Sequence, residues 1–118
     1  MFRWEEFSGI YLHRGYVDMR KSINGLSVIV QNDMKLNPFS KFLFVFCNKN
    51  KNRLKILYWD KTGFALWLKM LDRSSFIWPK KLDHEVIELN RDQLKWLLCG
   101  LDILKMKPHQ ELCYESVS

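Results

Sequence analysis

Acidic residues are missing from one long stretch of this chain. Between Met34 and Trp59 the sequence contains no Asp or Glu, yet it holds six Lys and Arg residues. Over the whole chain Lys and Arg number 19 and Asp and Glu number 13, which gives a formal net charge of +6. The excess equals the charge of that one stretch, because the remaining 13 basic and 13 acidic residues cancel. Positive charge concentrated in this way favours a polyanionic partner, with nucleic acid the first candidate.

Long apolar runs are also missing, and cysteine is scarce. No apolar stretch approaches the ~20 residues of a membrane-spanning helix, and the first residues, MFRWEEFSG, lack the apolar core of a signal peptide. Cys47, Cys99 and Cys113 form no C-x-x-C pair, so we expect free thiols in a reducing cytoplasm. The three histidines are equally scattered, and we expect no metal, no cofactor and no membrane attachment.

The length and the apolar content predict one folded domain. Hydrophobic residues make up 47% of the 118 positions and aromatic residues 14%, which is sufficient for one core. We expect a single domain over residues 1–118, with a loose lead-in at 1–9 and a polar C-terminal tail at 103–118. The apolar patterns predict the α+β class: a meandering antiparallel β-sheet with one long N-terminal helix and one short C-terminal helix.

Two segments carry helix signals. Apolar residues recur every three or four positions from Met19 to Met34, and Asp18 stands where an N-cap is expected. The short helix has a more complete signature: Asn90 as N-cap, Gln93 as its capping-box partner, and Gly100 at the end. We expect a helix of about four turns in the first segment and a short one in the second.

The stretch Leu43–Phe64 predicts two consecutive β-hairpins. A loop at 48–52 joins the first two strands, and Gly63 is expected in the left-handed conformation of a bulged turn. A two-residue turn would instead put Lys55 among the apolar residues that face the phenylalanines, so the bulged register fits better. This register predicts the cross-strand pairs Phe44–Ile56, Phe46–Leu54, Ile56–Leu68 and Tyr58–Leu66. Further short strands are predicted at 10–13, 75–78 and 86–89.

In the bulged register one sheet face carries both cations and tryptophans. Lys55 lies directly opposite Lys69, and like charges placed this way destabilise a sheet unless an anion reconciles them. Trp59 and Trp67 on the same face could stack on bases, or could instead be buried beneath the long helix with the lysines at its rim. We take nine residues as candidates for nucleic-acid binding: Lys49, Lys51, Arg53, Lys55, Trp59, Trp67, Lys69, Arg20 and Lys21. Arg20 and Lys21 lie at the positive end of the predicted helix.

Catalytic motifs are absent. The sequence contains no glycine-rich phosphate loop and no G-x-S-x-G. Asp18, Asp60 and Asp102 could suggest a metal-dependent nuclease, but a cap, a turn and a helix end account for them. We therefore expect a protein that is not an enzyme and has no small-molecule substrate, with a nuclease as the less favoured alternative.

Several segments together resemble a known family. They are Val17–Leu26, Asn37–Ser40, Leu43–Lys49, Lys55–Asp60, Gly63-Phe64, Trp67, Phe76–Pro79 and Leu97–Asp102. Over residues 10–110 their order and spacing resemble the small accessory proteins, called TnpB, of the insertion-sequence-sixty-six family of bacterial transposable elements. These proteins are unrelated to the RNA-guided nucleases of the same name. The chain departs from the family at Met19, usually Phe, and at Cys47, often Arg, which trims the basic hairpin.

The resemblance implies a non-catalytic role in transposition beside a separate, larger transposase. It supplies no catalytic residues. The implied partners are the DNA of the element ends, the transposase, or both. A protein-interaction module that docks on the transposase without touching DNA is the alternative.

Overall fold

The computed structural model describes residues 6–79, 85–101 and 103. Its elements are β1 (Gly9–His13), α1 (Ile23–Asn32), β2 (Phe42–Cys47), β3 (Arg53–Asp60), β4 (Gly63–Met70), β5 (Val86–Leu89) and α2 (Arg91–Leu98). The α+β class is confirmed, and within these residues no helix is long and apolar enough to cross a membrane. Most of the predicted tail, the start of the lead-in, Asp102 and Cys113 lie outside the described residues.

The sheet is mixed rather than wholly antiparallel. Within the described part of the chain its five strands lie in the order β4-β3-β2-β1-β5. β1 and β2 run parallel, with Ile10 opposite Leu43, whereas the other neighbouring pairs are antiparallel. The expected antiparallel meander is therefore wrong at β1. The reason is that α1 connects β1 to β2, and a helical crossover returns the chain in the same direction.

Both hairpin registers differ by one residue from the prediction. Phe44 lies opposite Leu57 rather than Ile56, and Ile56 lies opposite Trp67 rather than Leu68. Because side chains alternate along a strand, this shift moves a whole set of β3 residues to the other face. The sheet face that carries Phe42, Phe44 and Phe46, which we call the phenylalanine face, therefore includes Leu57. Ile56 lies on the opposite face.

The turn between β3 and β4 explains the second shift. Asp60 pairs directly with Gly63, so the turn has two residues and no bulge. The left-handed residue is Lys61, with φ of +51°, and Gly63 is not among the residues with positive φ. The sequence analysis disfavoured this two-residue turn because it puts Lys55 on the phenylalanine face. The two-residue turn is nevertheless the one that forms.

Both faces of the sheet are buried, which is why β2 is apolar at every position. The α1 face is built from Val17, Leu26, Val30, Met34, Phe44, Phe46 and Leu57. The α2 face is built from Ile10, Leu12, Leu43, Val45, Cys47, Leu54, Ile56, Phe76, Trp78, Leu89, Leu94, Trp96, Leu97, Leu98 and Ile103. Among the described residues neither face of the sheet is therefore fully exposed to solvent, as a base-stacking face would need to be.

Helix α1 is shorter than predicted, with 10 residues, and Asp18 is not its N-cap. Ser22 occupies that position, and its hydroxyl accepts a hydrogen bond from the Gly25 N–H at 3.5 Å. The Asp18 carboxylate instead accepts from the N–H of Arg20 at 2.9 Å, inside a separate turn. An aspartate satisfies a tight turn by the same chemistry as a helix cap, so the pattern did not separate the two.

Helix α2 confirms its sequence signature. The Asn90 side chain accepts from the Gln93 N–H and the Gln93 side chain accepts from the Asn90 N–H, each at 2.8 Å. Gly100 follows the helix with φ of +81°. The capping box and the left-handed glycine therefore form as predicted.

The predicted strand at 75–78 does not form. Phe76 and Trp78 are buried, but they lie in irregular backbone. Single hydrogen bonds anchor the segment: the Phe76 N–H donates to the Lys51 carbonyl at 2.6 Å, and the Trp78 indole donates to the Arg14 carbonyl at 2.8 Å. Alternating apolar residues can pack on a core without a neighbouring strand.

The expectation of free thiols is confirmed at Cys47 and wrong at Cys99. Cys47 is fully buried and free. Burial raises the pKa of its thiol to about 12, so it stays protonated at neutral pH. Cys99, however, is disulfide-bonded.

Candidate nucleic-acid interface

The turn between β2 and β3 is held by one side chain. The Asn48 carboxamide oxygen accepts from the N–H groups of Asn52 and Arg53, at 3.1 and 3.0 Å. Its amide nitrogen donates to the Asn52 side chain at 2.7 Å. Lys51 adopts a φ of +58° at the bend. Lys49 and Arg53 are exposed on this fixed turn, so their charges project from a defined base.

The segment that precedes α1 is fastened beside this turn. The Val17 N–H donates to the Cys47 carbonyl at the end of β2, at 2.9 Å. The Lys55 ammonium donates to the Met19 carbonyl at 2.8 Å. These two contacts lie on either side of position 18, and together they fix where the following Arg20 stands.

A cleft of about 350 Å³ lies between the two segments, and we call it the hairpin-tip cleft. It is lined by Val17, Asp18, Met19, Arg20, Asn48, Lys49, Asn50 and Arg53. Three exposed cations, Arg20, Lys49 and Arg53, meet there from separate parts of the sequence. The sequence identified each of them but gave no sign that they share one cleft.

Of the described residues that line the cleft, one is an acid, and that acid is paired. The Arg20 guanidinium donates to both Asp18 carboxylate oxygens, with distances of 3.1 Å to Oδ1 and 2.7 Å to Oδ2. These hydrogen bonds lower the pKa of Asp18 to about 2. The Arg20 side chain is nevertheless 90% exposed. An exposed ion pair of this kind contributes little free energy, and a guanidinium has more N–H donors than one carboxylate can occupy. Arg20 therefore retains donors for a second anion.

Lys55 and Lys69 do not face one another. Lys55 lies opposite Leu68 on the α1 face, and Lys69 lies opposite Leu54 on the α2 face. The Lys69 ammonium donates to the carbonyl of Leu98 at 2.8 Å, at the C-terminal end of α2. Each ammonium thus satisfies a main-chain carbonyl, which removes the like-charge conflict that motivated their assignment.

Trp59 and Trp67 also lie on opposite faces, so the predicted shared tryptophan face is wrong. Trp67 is half-buried against the α2-face core. Trp59 is half-buried between Phe39 and Phe64, with ring centroids 5.1 and 5.0 Å away. Phe39 is 57% exposed and was missed by the sequence reasoning, although its place directly after Asn37-Pro38 marks it as a loop residue.

Phe39, Trp59 and Phe64 form what we call the aromatic cluster. It borders a second cavity, of about 820 Å³, lined by Glu6, Phe7, Ser8, Phe39, Lys41, Trp59, Asp60 and Lys61. This cavity lies at the opposite end of β3 from Arg53, roughly 23 Å away at the usual rise per strand residue. Among its described lining residues two acids, Glu6 and Asp60, balance two lysines, Lys41 and Lys61, so these residues do not extend the basic character of the hairpin-tip cleft.

The acids proposed for a nuclease do not converge. Asp18 lies in the hairpin-tip cleft, whereas Asp60 lies at the far end of β3. Among the described residues no group of three or more His, Cys, Asp or Glu could hold a metal ion. Asp18 and Asp60 therefore do not line one common site.

Comparison with known proteins gives the family. Residues 8–108 match the family model described as IS66 Orf2 like protein. The chain is 37% identical over 93 residues to the uncharacterized protein y4hO of Sinorhizobium fredii (strain NBRC 101917 / NGR234), covering 79% of this chain and 80% of that protein. It is 33% identical over 91 residues to the uncharacterized protein y4jC of the same strain, covering 77% of each. No solved structure matches the chain. The chain therefore belongs to the IS66 Orf2-like family, the TnpB accessory proteins of the insertion-sequence-sixty-six elements that its motifs resemble.

Proposed function

We propose that this protein is a non-catalytic, cytoplasmic accessory factor for the transposition of a bacterial insertion sequence, and that its hairpin-tip cleft binds the phosphate backbone of the element DNA. Family membership supports the role in transposition. The observation that carries the DNA contact is the meeting of Arg20, Lys49 and Arg53 in one exposed cleft. Three cations beside a single paired acid suit an anion better than any other ligand.

The chemistry of these side chains suits phosphate in particular. The two guanidinium groups of Arg20 and Arg53 can each donate two parallel hydrogen bonds to one phosphate, and Lys49 adds a point charge. Contacts of this type position a protein on DNA without reading the base sequence. The cleft is therefore expected to bind duplexes of different sequence with similar affinity.

The remaining basic candidates fall into two groups, those that contact phosphate and those that hold the fold around the cleft. We assign Lys21, which is exposed, and Lys51, at the bend of the turn, to additional phosphate contacts around the cleft. Lys55 and Lys69 act instead as supports, because their ammonium groups hold the Met19 and Leu98 carbonyls. Substituting a support should lower stability first and DNA binding only as a consequence.

A second candidate function is docking on the separate transposase through the aromatic cluster. The observation in its favour is Phe39, which is 57% exposed and packs edge-on against Trp59. Exposed aromatic rings that are themselves held by packing are typical anchors of protein interfaces. The two functions use opposite ends of β3, so one molecule could perform both.

Two titrations separate these functions. Labelled duplex carrying the element ends is titrated with the purified protein, first alone and then with the transposase. Binding without transposase that weakens in Arg53→Ala but not in Phe39→Ala supports the DNA contact. Binding that requires the transposase and is lost in Phe39→Ala supports docking in its place.

Incubation of the same DNA with the protein and Mg²⁺ or Mn²⁺ tests the absence of catalysis. The DNA is expected to stay intact. Metal-dependent nicking that disappears in Asp18→Ala or Asp60→Ala would show that the protein is an enzyme.

A further inference from the structure

Among the strands that the structure describes, β4 forms one edge of the sheet, and it is unusually open for an edge. It pairs with β3 along all eight residues, from Gly63 to Met70, without a bulge. Its sequence, GFALWLKM, contains no proline and no acid. Its one charge, on Lys69, is directed to the Leu98 carbonyl on the α2 face. Natural sheets usually protect such edges with proline, bulges or free charges, and β4 has none of these.

The turn geometry determines which main-chain groups of β4 point outward. In a hairpin with a two-residue turn, Asp60 and Gly63 form the first hydrogen-bonded pair, and such pairs then alternate along the strands. The main-chain groups of Gly63, Ala65, Trp67 and Lys69 therefore face β3. Those of Phe64, Leu66, Leu68 and Met70 point away from the sheet.

The same four residues have apolar side chains, and all lie on the α1 face. Phe64 and Leu66 are half-buried against the α1-face core. Leu68 and Met70, further along the strand, are 54% and 61% exposed. The edge thus offers a row of main-chain donors and acceptors with two uncovered apolar side chains beside it.

We propose that this edge pairs with β4 of a second copy of the chain, in antiparallel orientation about a two-fold axis. Leu66 of one copy would lie opposite Leu68 of the other, and Phe64 opposite Met70. All four outward-pointing residues then form hydrogen-bonded pairs, with two main-chain bonds in each pair. The axis passes between the two Trp67 residues, and the two sheets become one continuous sheet.

The occupant is a second copy because the pattern of the strand fits itself. In the antiparallel pairing the half-buried Phe64 and Leu66 of one copy lie opposite the exposed Met70 and Leu68 of the other. Both exposed side chains are therefore covered in the dimer. Lys69 falls opposite Ala65, so no like charges are opposed. Sliding the strands by two residues in either direction leaves Phe64 or Met70 without a strand partner. A single pair of strands is a small interface, so the dimer is expected to be weak.

Sedimentation equilibrium tests the proposal, over protein concentrations from about 5 to about 500 µM, because dimerisation depends on concentration. The wild-type weight-average mass should rise from 14.3 kDa toward twice that value. Leu68→Lys should stay monomeric with an unchanged thermal melt. The matched control is Val28→Lys, which alters a side chain 51% exposed on α1, and it should dimerise like the wild type.

Amide hydrogen exchange locates the interface. The N–H groups of Phe64, Leu66, Leu68 and Met70 should become protected as the concentration rises. A wild type that is monomeric throughout overturns the proposal. So does a dimer that survives Leu68→Lys while these four amides remain unprotected.

Discussion

The Lys55 ammonium donates a hydrogen bond of 2.8 Å to the main-chain carbonyl of Met19. A longer contact of 3.4 Å reaches the Lys21 carbonyl. The two carbonyls flank Arg20, so a lysine in the middle of β3 holds this arginine beside the hairpin turn. Lys55 thus helps to hold one wall of the hairpin-tip cleft in place.

Replacing Lys55 by methionine should therefore lower stability. Methionine keeps the aliphatic stem but leaves the Met19 carbonyl without its charged donor, and we expect a loss of about 1–3 kcal/mol in the free energy of unfolding. Chemical denaturation measures it. Lys41→Met, at an exposed lysine of the same window, is the control and should stay within about 0.5 kcal/mol of the wild type. Equal effects at the two positions would contradict the support role of Lys55.

Two substitutions distinguish the observed β3–β4 turn from the bulged turn. Lys61→Gly should stabilise the protein by up to about 1 kcal/mol, because glycine adopts a positive φ without strain. Gly63→Ala should be nearly neutral, since an added Cβ meets nothing within 4 Å. Thermal melts provide the comparison. A bulged turn with a left-handed Gly63 would give the reverse, a costly Gly63→Ala and no gain from Lys61→Gly.

The two helix caps should differ in strength. The Asn90 cap is reciprocal, with both hydrogen bonds at 2.8 Å, whereas the single bond of Ser22 is 3.5 Å long. We expect Asn90→Ala to cost about 1–2 kcal/mol and Ser22→Ala about 0.5 kcal/mol. Urea unfolding curves of the two variants, recorded together, measure the difference. Asp18→Ala should not show a cap-sized loss, because Asp18 does not cap α1; a loss as large as that of Asn90→Ala would contradict the observed helix start.

Asp18→Asn should strengthen DNA binding. The substitution removes the one acid among the described residues that line the cleft and releases the Arg20 guanidinium, while asparagine can still hold the local turn. We expect an increase in affinity of up to about tenfold, which corresponds to 1.4 kcal/mol. Anisotropy titrations of the wild type and the variant on one duplex measure it. Unchanged or weaker binding would mean that Arg20 does not reach the DNA.

The pKa of Asp18 adds a condition on pH. Because Arg20 lowers this pKa from 3.8 to about 2, the carboxylate is ionised in the folded protein throughout the neutral range. The contribution of the pair to stability is present above pH 3.8 and is lost as the pH falls toward 2. The gain in affinity from Asp18→Asn should therefore be the same at pH 5 and pH 8.

The parts of the fold that could be predicted from the sequence are those set by local chemistry. The capping box of Asn90 and Gln93 and the glycine after α2 depend on neighbouring residues alone, and they form as predicted. The parallel pairing of β1 with β2 depends on the path of α1 across the sheet, which no local pattern encodes. The β3–β4 register failed because Lys55 was treated as incompatible with a buried face, although its long stem carries the ammonium to a loop carbonyl. The β2–β3 register failed separately, because the predicted loop at 48–52 placed Cys47 opposite Arg53, whereas Cys47 lies opposite Leu54.

The candidate site shows the same division. Lys49 and Arg53 could be identified from the acid-free window, because charge composition is visible in the sequence. The position of Arg20 beside these two residues could not be predicted from the sequence. It depends on two contacts between distant segments, from Val17 to Cys47 and from Lys55 to Met19. Trp67 and Lys69 were assigned to the site only through the wrong register.

The salt dependence of DNA binding tests the phosphate contacts of the hairpin-tip cleft most directly. Each phosphate contact adds about 0.9 to the slope of log K against log salt on duplex DNA. Replacing Arg20, Lys49 and Arg53 together by alanine should therefore flatten the slope by about two to three. The control removes the same charge elsewhere, by Lys41→Ala, Lys61→Ala and Arg91→Ala, and should leave the slope nearly unchanged. If the cleft variant keeps the wild-type slope, or the control loses as much, the hairpin-tip cleft does not hold the DNA backbone.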